Sequence, residues 1–360
     1  MSTQKTRIVI AAGGTAGHVV PALAVAGALR AEGAEVTFIG GERAESELVP
    51  AAGYPLRKIS VEGMSRTNPL RAARALIRAA RAFGHARSLL QELSPDAVLG
   101  AGGYVSGPAG LAAVTLRIPL VLSEADSHLG LTNRLLARAA RRVCLAFPLA
   151  GREGSRYRVT GRPIPPAQED RAGARERLGI GAGEECVLVF GGSLGARSIN
   201  EAAVEAFADA GGRAPFRVLH ISGRRDYPEL TVRPLPQGYD LREYLEEAEF
   251  ADALAAADLV IARAGGSLFE IAAHGLPAIL VPYPHASADH QSANARWMAG
   301  AGAAIVIPDR ELNGKRLARE VAGLLADQER LAAMARASKG LARPDAAGEI
   351  AHELLEAAAQ

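Results

Sequence analysis

The chain contains 360 residues, 49% of them hydrophobic, which is enough for two domains of ordinary size. Its formal net charge is +2 at pH 7, and this near balance argues against a nucleic-acid-binding protein. The first residues, MSTQKTRIVIAAGG, lead directly into a strand and a glycine turn, so we expect no signal peptide. No apolar run approaches the ~20 residues of a membrane-spanning helix, so any membrane contact is expected to be peripheral.

The cysteines and acidic residues do not form the pattern of a metal site. Cys144 and Cys186 lie in separate apolar, strand-like runs, and we interpret both as buried thiols rather than a disulfide or metal-binding pair. No D-x-D segment stands at the end of a predicted strand. We therefore predict no bound metal, and we expect a reducing, cytoplasmic environment.

Short β-rich apolar runs alternate with longer alanine- and leucine-rich stretches, which is the pattern of parallel βαβ units. The predicted strands lie at residues 7–12, 35–39, 96–99, 119–122, 143–147, 185–190, 216–222, 259–262 and 278–281. Helices are predicted after the first glycine turn, at residues 70–93, 198–210, 249–256 and 345–358, and after Glu311 and Asp327. Residues 158–166 are interpreted as an extended, proline-rich linker, and residues 235–244 show no clear pattern.

One local pattern occurs twice in the chain. The segments GGTAGH at residues 13–18 and GGSLGA at 191–196 each follow a predicted strand and precede a helix. Glycines allow the backbone to approach a diphosphate closely, and the start of a helix supplies N–H donors. The repetition predicts an α/β fold with two Rossmann-like parallel-sheet domains facing each other across a cleft. We place these domains at residues 1–160 and 161–340, with a last helix in 341–360 that packs back on the first domain.

Three further segments at predicted strand ends carry residues suited to ligand binding. GAGGYVSGP at 100–108 is a second glycine-rich loop, and SEADSH at 123–128 supplies Glu124 and Asp126. Residues 262–295 combine the turn 265–267, Glu270 in the first turns of a helix, and Gln291. The N–H groups suit phosphate, Glu270 ribose hydroxyls and Gln291 a sugar. The alternative is an ordinary βα turn with a solvated helix start.

A stripe of arginines lies on the predicted helix 70–93. Arg71, Arg74, Arg78 and Arg81 recur at three- and four-residue spacing, which places them on one narrow face. A basic amphipathic helix suits the anionic headgroups of a membrane surface. A solvated charged face in an arginine-rich protein is the alternative explanation.

Six segments together resemble the MurG family: GGTAGHVVPALAVA, GAGGYVSGP, GLTNRLLA, GGSLGA, EIAAHGLPAILVPYPH and DHQSANA. They follow the family's order over most of the chain. Members are GT-B glycosyltransferases that move N-acetylglucosamine from its uridine diphosphate onto undecaprenyl-diphospho-muramoylpentapeptide (lipid I), forming lipid II for peptidoglycan. The resemblance implies a GT-B fold, UDP-N-acetylglucosamine and lipid I as substrates, no cofactor, and a peripheral position on the cytoplasmic face of the cell membrane.

Carried over residue by residue, the resemblance implies roles for the matching positions. It assigns His18, Tyr104 and Glu124 to the acceptor side. It assigns the donor diphosphate to Ser193, the ribose hydroxyls to Glu270 and the N-acetylglucosamine ring to Gln291. The other implied donor contacts are Thr15, Ala16, Gly17, Asp126 and the nucleotide turn of Gly265, Gly266, Ser267 and Leu268.

Four features depart from the family's usual pattern. Ala16 stands in place of a glycine, and Asp126 in place of an asparagine. Pro165 stands in place of an arginine, for which Arg162 is the only nearby replacement. The turn 265–270 is one residue shorter than in many relatives.

The chemistry of this reaction sets the roles that the chain must fill. An α-linked sugar diphosphate that gives a β-glycoside requires one in-line displacement and a base for the proton of the attacking 4-hydroxyl. His18 is the first candidate for the base, and Glu124 and Asp126 are alternatives. Helix N-termini at residues 14–18 and 193–196, with Arg162, are expected to stabilise the departing UDP without a metal.

Three rival functions remain to be distinguished. An NAD-dependent oxidoreductase needs the full G-x-G-x-x-G, which is absent. A UDP-N-acetylglucosamine 2-epimerase would share the fold and the donor, and would form a soluble product without a lipid acceptor. A UDP-sugar-binding protein would bind the donor and never turn over.

Overall fold

A computed structural model describes residues 5–60, 69–192, 194–207, 213–286 and 289–359, apart from the side chains of residues 69–78, 213 and 215. The chain divides into two compact units. One comprises Met1–Pro165 together with Arg343–Gln360, and the other comprises Pro166–Ala342. Each unit is an α/β domain built on one parallel sheet, as the alternation of strands and helices predicts.

The first unit contains a seven-stranded sheet with helices on its faces. Its strands are β1 (Arg7–Ala11), β2 (Glu35–Gly40), β3 (Leu56–Lys58), β4 (Ala97–Gly100), β5 (Leu120–Glu124), β6 (Arg142–Leu145) and β7 (Tyr157–Val159). They lie in the order β3-β2-β1-β4-β5-β6-β7. The helices are α1 (Ala16–Ala31), α2 (Glu45–Ala51), α3 (Pro69–Leu93), α4 (Ser106–Leu116) and α5 (Leu131–Leu136).

The second unit repeats this plan around a six-stranded sheet. Its strands are β8 (Cys186–Phe190), β9 (Arg213–Ile221), β10 (Gln237–Arg242), β11 (Leu259–Ala262), β12 (Ala278–Leu280) and β13 (Ala304–Val306), in the order β10-β9-β8-β11-β12-β13. Its helices are α6 (Arg171–Arg177), α7 (Arg197–Phe207), α8 (Tyr227–Leu230), α9 (Glu247–Ala256), α10 (Leu268–Ala273), α11 (His290–Gly300), α12 (Gly314–Ala326) and α13 (Gln328–Gly340). A short 3₁₀ helix spans Asp309–Glu311.

The central strands are apolar along their whole length because helices cover both faces of each sheet. Every residue of β4, β8 and β11 is buried. The last helix, α14 (Ala346–Ala358), belongs to the first unit, where Ile350 and Leu354 join the core formed by β1 and α1. Glu353 on the same helix pairs with Arg142 at 2.7 Å and Arg158 at 3.3 Å.

The sequence prediction missed all four edge strands, and β3 and β13 lie in stretches for which no strand was predicted. Arg158 and Val159, predicted to begin a linker, end β7, and the unpatterned stretch 235–244 contains β10. An edge strand has one neighbour, so it needs fewer apolar residues, and β10 also shifts register between Gln237 and Tyr239. The prediction of two buried free cysteines is confirmed.

The strand order places four glycine-rich turns at the carboxyl ends of adjacent central strands. In each sheet the first strand of the unit lies beside the fourth, β1 beside β4 and β8 beside β11. Successive connections leave in opposite directions from such a pair, which opens a crevice at the carboxyl ends of the strands. The glycine-rich turns at residues 13–17, 100–103, 191–195 and 264–267 all follow these four strands. Ligands of doubly wound folds bind at this point.

Candidate functional site

The first glycine turn joins β1 to α1 as predicted. Gly14 has φ +115°, and Thr15, in an extended conformation, is the N-cap residue of α1, although its side chain makes no capping hydrogen bond. Thr15, Ala16 and Gly17 are exposed, whereas His18 is half-buried. The Nδ1 atom of His18 lies 3.4 Å from the hydroxyl of Thr15. The amides of Ala16 and Gly17 occupy the first two helical positions, where a helix provides no acceptor for them.

The second glycine loop packs against the first turn. Gly102 and Gly103 have φ values of +95° and +75°. A Cβ on Gly103 would lie 1.7 Å from the carbonyl oxygen of Gly13, and one on Gly102 would lie 2.7 Å from Cδ2 of His18. Both positions therefore require glycine for their conformation and for the close approach. The contact brings the loop that carries Tyr104 beside the turn that carries His18.

Arg162 completes a hydrogen bond that the helix cannot make. Pro21 lies inside α1 and has no N–H to donate to the carbonyl of Gly17, four residues earlier. A guanidinium nitrogen of Arg162 donates to that carbonyl at 2.6 Å. Arg162, a predicted diphosphate contact, is therefore held at the start of α1 beside His18.

Burial and the charge of Arg162 favour the neutral form of His18. Burial lowers the pKa of His18, and the nearby positive charge of Arg162 lowers it further, while Asp126 acts in the opposite direction. His18 is consequently unprotonated near neutral pH. A neutral imidazole is the form that accepts a proton.

Glu124 anchors the loop that follows β5. It is buried, with 7% of its surface exposed. Oε1 accepts from the N–H of Asp126 at 3.2 Å, and Oε2 accepts from the N–H of Gly130 at 2.9 Å and the amide of Asn133 at 3.0 Å. Burial raises the pKa of Glu124, and these donors partly oppose that rise. Both carboxylate oxygens are thus engaged within the protein.

A buried carboxylate that the sequence reading missed lies beneath this site. Glu45, the first residue of α2, accepts hydrogen bonds from the hydroxyl of Tyr104 and from the backbone N–H groups of Gly14 and Gly41. The Gly14 amide is therefore not available to a phosphate, which corrects the expectation that the whole turn supplies donors. The available signal was an acidic residue opening a helix directly after a strand end.

In the second unit, the turn after β11 lies beside Gln291. The amide nitrogen of Gln291 would be 3.9 Å from a Cβ on Gly265, and its oxygen accepts from the N–H of Tyr283 at 2.9 Å. Gly265, Gly266, Ser267 and Glu270 are partly exposed. Leu268 is completely buried, so its side chain belongs to the core. The predicted turn and the predicted sugar contact are therefore neighbours.

Arg263, which directly follows β11, braces this turn and was not predicted. Its guanidinium donates to the carbonyls of Val281 at 3.1 Å and Pro282 at 3.2 Å, to the carboxylate of Asp309 at 2.5 Å and to the hydroxyl of Ser198 at 2.9 Å. It thereby ties the ends of β11 and β12 to the start of α7. A lone arginine directly after a buried apolar strand was the signal for it.

A fully buried histidine supports the turn after β8. His220 on β9 lies 2.7 Å from the hydroxyl of Tyr239 and 3.0 Å from the Oδ1 of Asn200. The amide of Asn200 donates to the carbonyl of Ser222 at 2.9 Å, next to which Gly195 packs. Burial lowers the pKa of His220 to about 3, so it is a neutral structural group.

Some predicted features lie outside the described residues. They are Ser193 and the side chains of Arg71, Arg74 and Arg78, whereas Arg81 is exposed on α3. No group of three or more His, Cys, Asp or Glu side chains suited to a metal ion occurs in the described part of the chain. Among the helices that the structure describes, none has both the length and the apolar character to cross a bilayer.

Both halves of the chain match glycosyltransferase family 28. The family's N-terminal domain matches residues 8–145, and its C-terminal domain matches residues 186–350. A protein of this class is a glycosyltransferase with two Rossmann-like domains, in agreement with the two sheets described above.

Individual relatives are similar over nearly their whole length. The chain is 43% identical to a Moorella thermoacetica protein over 97% of this chain and 98% of that protein. It is also 43% identical to a Methylococcus capsulatus protein over 98% of this chain and 99% of that protein. Both are named UDP-N-acetylglucosamine–N-acetylmuramyl-(pentapeptide) pyrophosphoryl-undecaprenol N-acetylglucosamine transferase. The crystal structure of Acinetobacter baumannii MurG superposes with a TM-score of 0.80 at 31% identity, covering 98% of this chain and 100% of that one. The chain therefore belongs to the MurG family of glycosyltransferases.

Proposed function

We propose that this protein transfers N-acetylglucosamine from UDP-N-acetylglucosamine to the 4-hydroxyl of the muramoyl sugar of lipid I, forming lipid II for peptidoglycan. The observation that carries the proposal is the match, at 43% identity over 97% of the chain, to a transferase named for this reaction. Such full-length identity to transferases does not favour the epimerase alternative. The same identity to named transferases likewise does not favour a binding protein without turnover.

The second unit is proposed to bind the donor. Glu270 would accept hydrogen bonds from the ribose hydroxyls, and Gln291 would contact the sugar ring. The backbone of Gly265, Gly266 and Ser267 would approach the nucleotide closely. The packing of Gln291 beside Gly265 supports this assignment, as do the four hydrogen bonds that hold Arg263 behind the turn.

The first unit is proposed to receive the acceptor, with His18 as the general base. If Nδ1–H of His18 donates to the hydroxyl of Thr15, Nε2 is free to take the proton of the attacking 4-hydroxyl. The hydroxyl oxygen then forms a bond to the anomeric carbon as the bond to UDP breaks, which inverts the configuration. Glu124 is a weaker candidate, because three donors inside the protein already occupy its oxygens.

The departing diphosphate needs charge stabilisation, and we propose that the protein supplies it without a metal. The exposed first turn of α1 offers the amides of Ala16 and Gly17 and a positive dipole end. Arg162 is held beside this turn and adds a full positive charge. The negative charge of Asp126 opposes this stabilisation of the diphosphate. Asp126 also raises the pKa of His18, so its charge acts at the first turn of α1.

Transfer of radiolabelled N-acetylglucosamine to a short-chain lipid I analogue, with and without EDTA, tests the activity. We expect lipid-linked product at the same rate in both conditions. We expect His18→Ala to lower kcat by about 100-fold or more with an unchanged donor KM, and Glu270→Ala to raise the donor KM. A soluble epimerised sugar formed without lipid would contradict the proposal, and loss of activity in EDTA restored by a divalent ion would contradict metal independence.

A peripheral position on the cytoplasmic face of the membrane is proposed for the first unit. Three leucines on α4 and α5 are strongly exposed: Leu111 at 47%, Leu131 at 52% and Leu135 at 68%. Leu131 and Leu135 are one helical turn apart, and Arg134 lies exposed on the same short helix. Apolar side chains next to a cation suit insertion among anionic headgroups.

Vesicle sedimentation tests this position. We expect the chain to bind phosphatidylglycerol vesicles more tightly than phosphatidylcholine vesicles, and the double variant Leu131→Ser/Leu135→Ser to weaken binding by about tenfold. Val232→Ser, which alters a residue 80% exposed in the second unit, is the matched control and should bind like the wild type. Equal binding by both variants would contradict the proposed face.

A further inference from the structure

Glu45 is a buried carboxylate that joins three separate loops. It is completely inaccessible to solvent. Its Oε1 accepts from the hydroxyl of Tyr104 at 2.7 Å and from the N–H of Gly41 at 2.8 Å, and its Oε2 accepts from the N–H of Gly14 at 2.9 Å. These donors follow β4, β2 and β1, which are neighbours in the sheet. One side chain therefore fixes the carboxyl ends of the three strands around the candidate site.

The backbone around Glu45 leaves space for its side chain. A Cβ on Gly13 would approach Oε1 at 3.0 Å, one on Gly40 would approach Cγ at 2.8 Å, and one on Gly41 would approach Oε1 at 2.9 Å. None of these three glycines has a positive φ. Space, rather than a left-handed backbone, is therefore what requires glycine at these positions.

The carboxylate is ionised although it is buried. Burial alone raises the pKa of Glu45, but the hydrogen bonds from Tyr104, Gly14 and Gly41 outweigh this effect and leave the pKa below its ordinary value. The position at the start of α2 favours a negative charge as well. A buried charge is a poor way to gain stability, because apolar replacements are often as stable. Its contacts point instead to a role in the geometry of the site.

The contacts of Glu45 define what Tyr104 presents to a substrate. The hydroxyl hydrogen points to Glu45, and burial followed by this hydrogen bond raises the pKa of Tyr104 to about 12. Tyr104 is therefore neither an acid nor a base here, and it offers its ring and the lone pairs of its oxygen. A Cβ on Gly14 would lie 3.8 Å from the Tyr104 ring and 3.9 Å from Nδ1 of His18. Glu45 thus holds the ring against the turn that begins the helix of His18.

We propose that Glu45 is a positioning residue for the transfer reaction, which acts by holding Tyr104 against the Gly14 turn so that the acceptor hydroxyl meets His18. Glu45 itself does not touch the substrate. The inference rests on the proposed function, because it assigns to Glu45 the arrangement of the acceptor side of that reaction. A misplacement of about 1 Å in such an arrangement costs up to about 100-fold in rate.

Glu45→Gln tests the role, with Glu47→Gln as a matched control. Glutamine keeps the size of the side chain but replaces one carboxylate oxygen with an NH₂ group. This group cannot accept the hydrogen bond that the carboxylate oxygen accepts from an N–H or O–H donor. Glu47 is exposed on the same helix. We expect Glu45→Gln to lower kcat by about 10- to 100-fold, with the KM for UDP-N-acetylglucosamine within about twofold of wild type. Glu47→Gln should match the wild type in both constants.

The partner of Glu45 is tested by combining Glu45→Gln with Tyr104→Phe. Because the proposed effect is transmitted through the Tyr104 hydroxyl, Glu45→Gln should cost much less in kcat when that hydroxyl is already absent. If Glu45 had only a structural role, Glu45→Gln would also raise the donor KM. The losses in kcat of Glu45→Gln and Tyr104→Phe would then multiply in the double variant. Multiplying losses would therefore overturn the proposal.

Gly41→Ala provides a second route if Glu45→Gln does not fold. The added methyl would lie 2.1 Å from the Tyr104 hydroxyl and 2.9 Å from Oε1 of Glu45, so it disrupts this contact while both side chains keep their chemistry. We expect a fall in kcat, whereas Gly27→Ala, with open space around its Cβ, should keep the wild-type rate. Wild-type protein without transfer activity would refute the proposed function. An active wild type with Glu45→Gln and Gly41→Ala both within twofold of it would overturn this inference alone.

Discussion

The contact between the two glycine loops of the first unit gives a sharp prediction for Gly103→Ala. Gly103 has φ +75°, and a Cβ there would lie 1.7 Å from the carbonyl oxygen of Gly13. Gly33→Ala is the matched control, because Gly33 has φ +83° and nothing within 4 Å of its Cβ position. The two variants share the cost of an alanine in the left-handed region and differ only in the overlap.

The structure sets the size of this difference. A left-handed alanine costs about 1–2 kcal/mol in either variant. At Gly103 the methyl also overlaps a backbone oxygen, whereas real Cβ atoms stay at least 3.0 Å from such neighbours. Relieving that overlap requires the loops to move by more than about 1 Å, which we expect to cost a further 2–3 kcal/mol, in the range of overpacked cores. The total for Gly103→Ala is about 3–5 kcal/mol.

Hydrogen exchange as a function of urea, read in peptides covering β1, measures the free energy of unfolding of the first unit in each variant. Gly33→Ala should lose about 1–2 kcal/mol and keep its transfer activity. Gly103→Ala should lose more and should also lose activity, because the turn that leads to His18 is displaced. The fluorescence of Trp297, the only tryptophan, reports on the second unit and should be unchanged in both. Equal losses in the two variants would refute the close approach.

Two pH-dependent predictions follow from the histidines. Arg162→Met removes one cause of the lowered pKa of His18, so this pKa should rise and the acidic limb of the pH–rate profile should move to higher pH. Arg162→Lys keeps the positive charge and should leave the acidic limb where it is in the wild type. A limb that moves equally in both would contradict a role of the charge. The pKa of His220 is about 3 in the folded chain and ordinary when unfolded, so the unfolded state binds the extra proton first. Stability of the second unit, followed by Trp297 fluorescence in urea, should fall below about pH 6.5 at up to ~1.4 kcal/mol per pH unit, and His220→Gln should flatten this slope.

The local sequence pattern predicted the central strands of both sheets. Apart from the start of β9, strand bounds in the centres of both sheets came within two residues, as for the strand predicted at 185–190 and found at Cys186–Phe190. Such strands are short apolar runs because both of their faces are covered. The edge strands β3, β7, β10 and β13 were missed, since their single neighbour leaves the pattern weak.

The sequence predicted the kind of candidate site but only some of the residues that build it. The glycine turns and His18 stand out because such residues are unusual at strand ends, and Gln291 stands out in the polar segment that follows, whereas Tyr104 was assigned only through the family resemblance. Glu45 and Arg263 could not be recognised in the same way, because a carboxylate or guanidinium after a strand is normally solvated. Burial and hydrogen bonding distinguish them, and neither is visible in a linear pattern.

The sequence by itself determined the alternation of strands and helices, the four glycine turns and the membership of a family of transferases. Only the tertiary structure decided which distant residues meet, as Tyr104 does with Glu45 and Arg162 with Gly17. The physical reason is one of range. Periodicity and turn chemistry act over a few residues, whereas the order of strands in the sheet brings together positions that are separated by 59 residues in the first pair and 145 in the second.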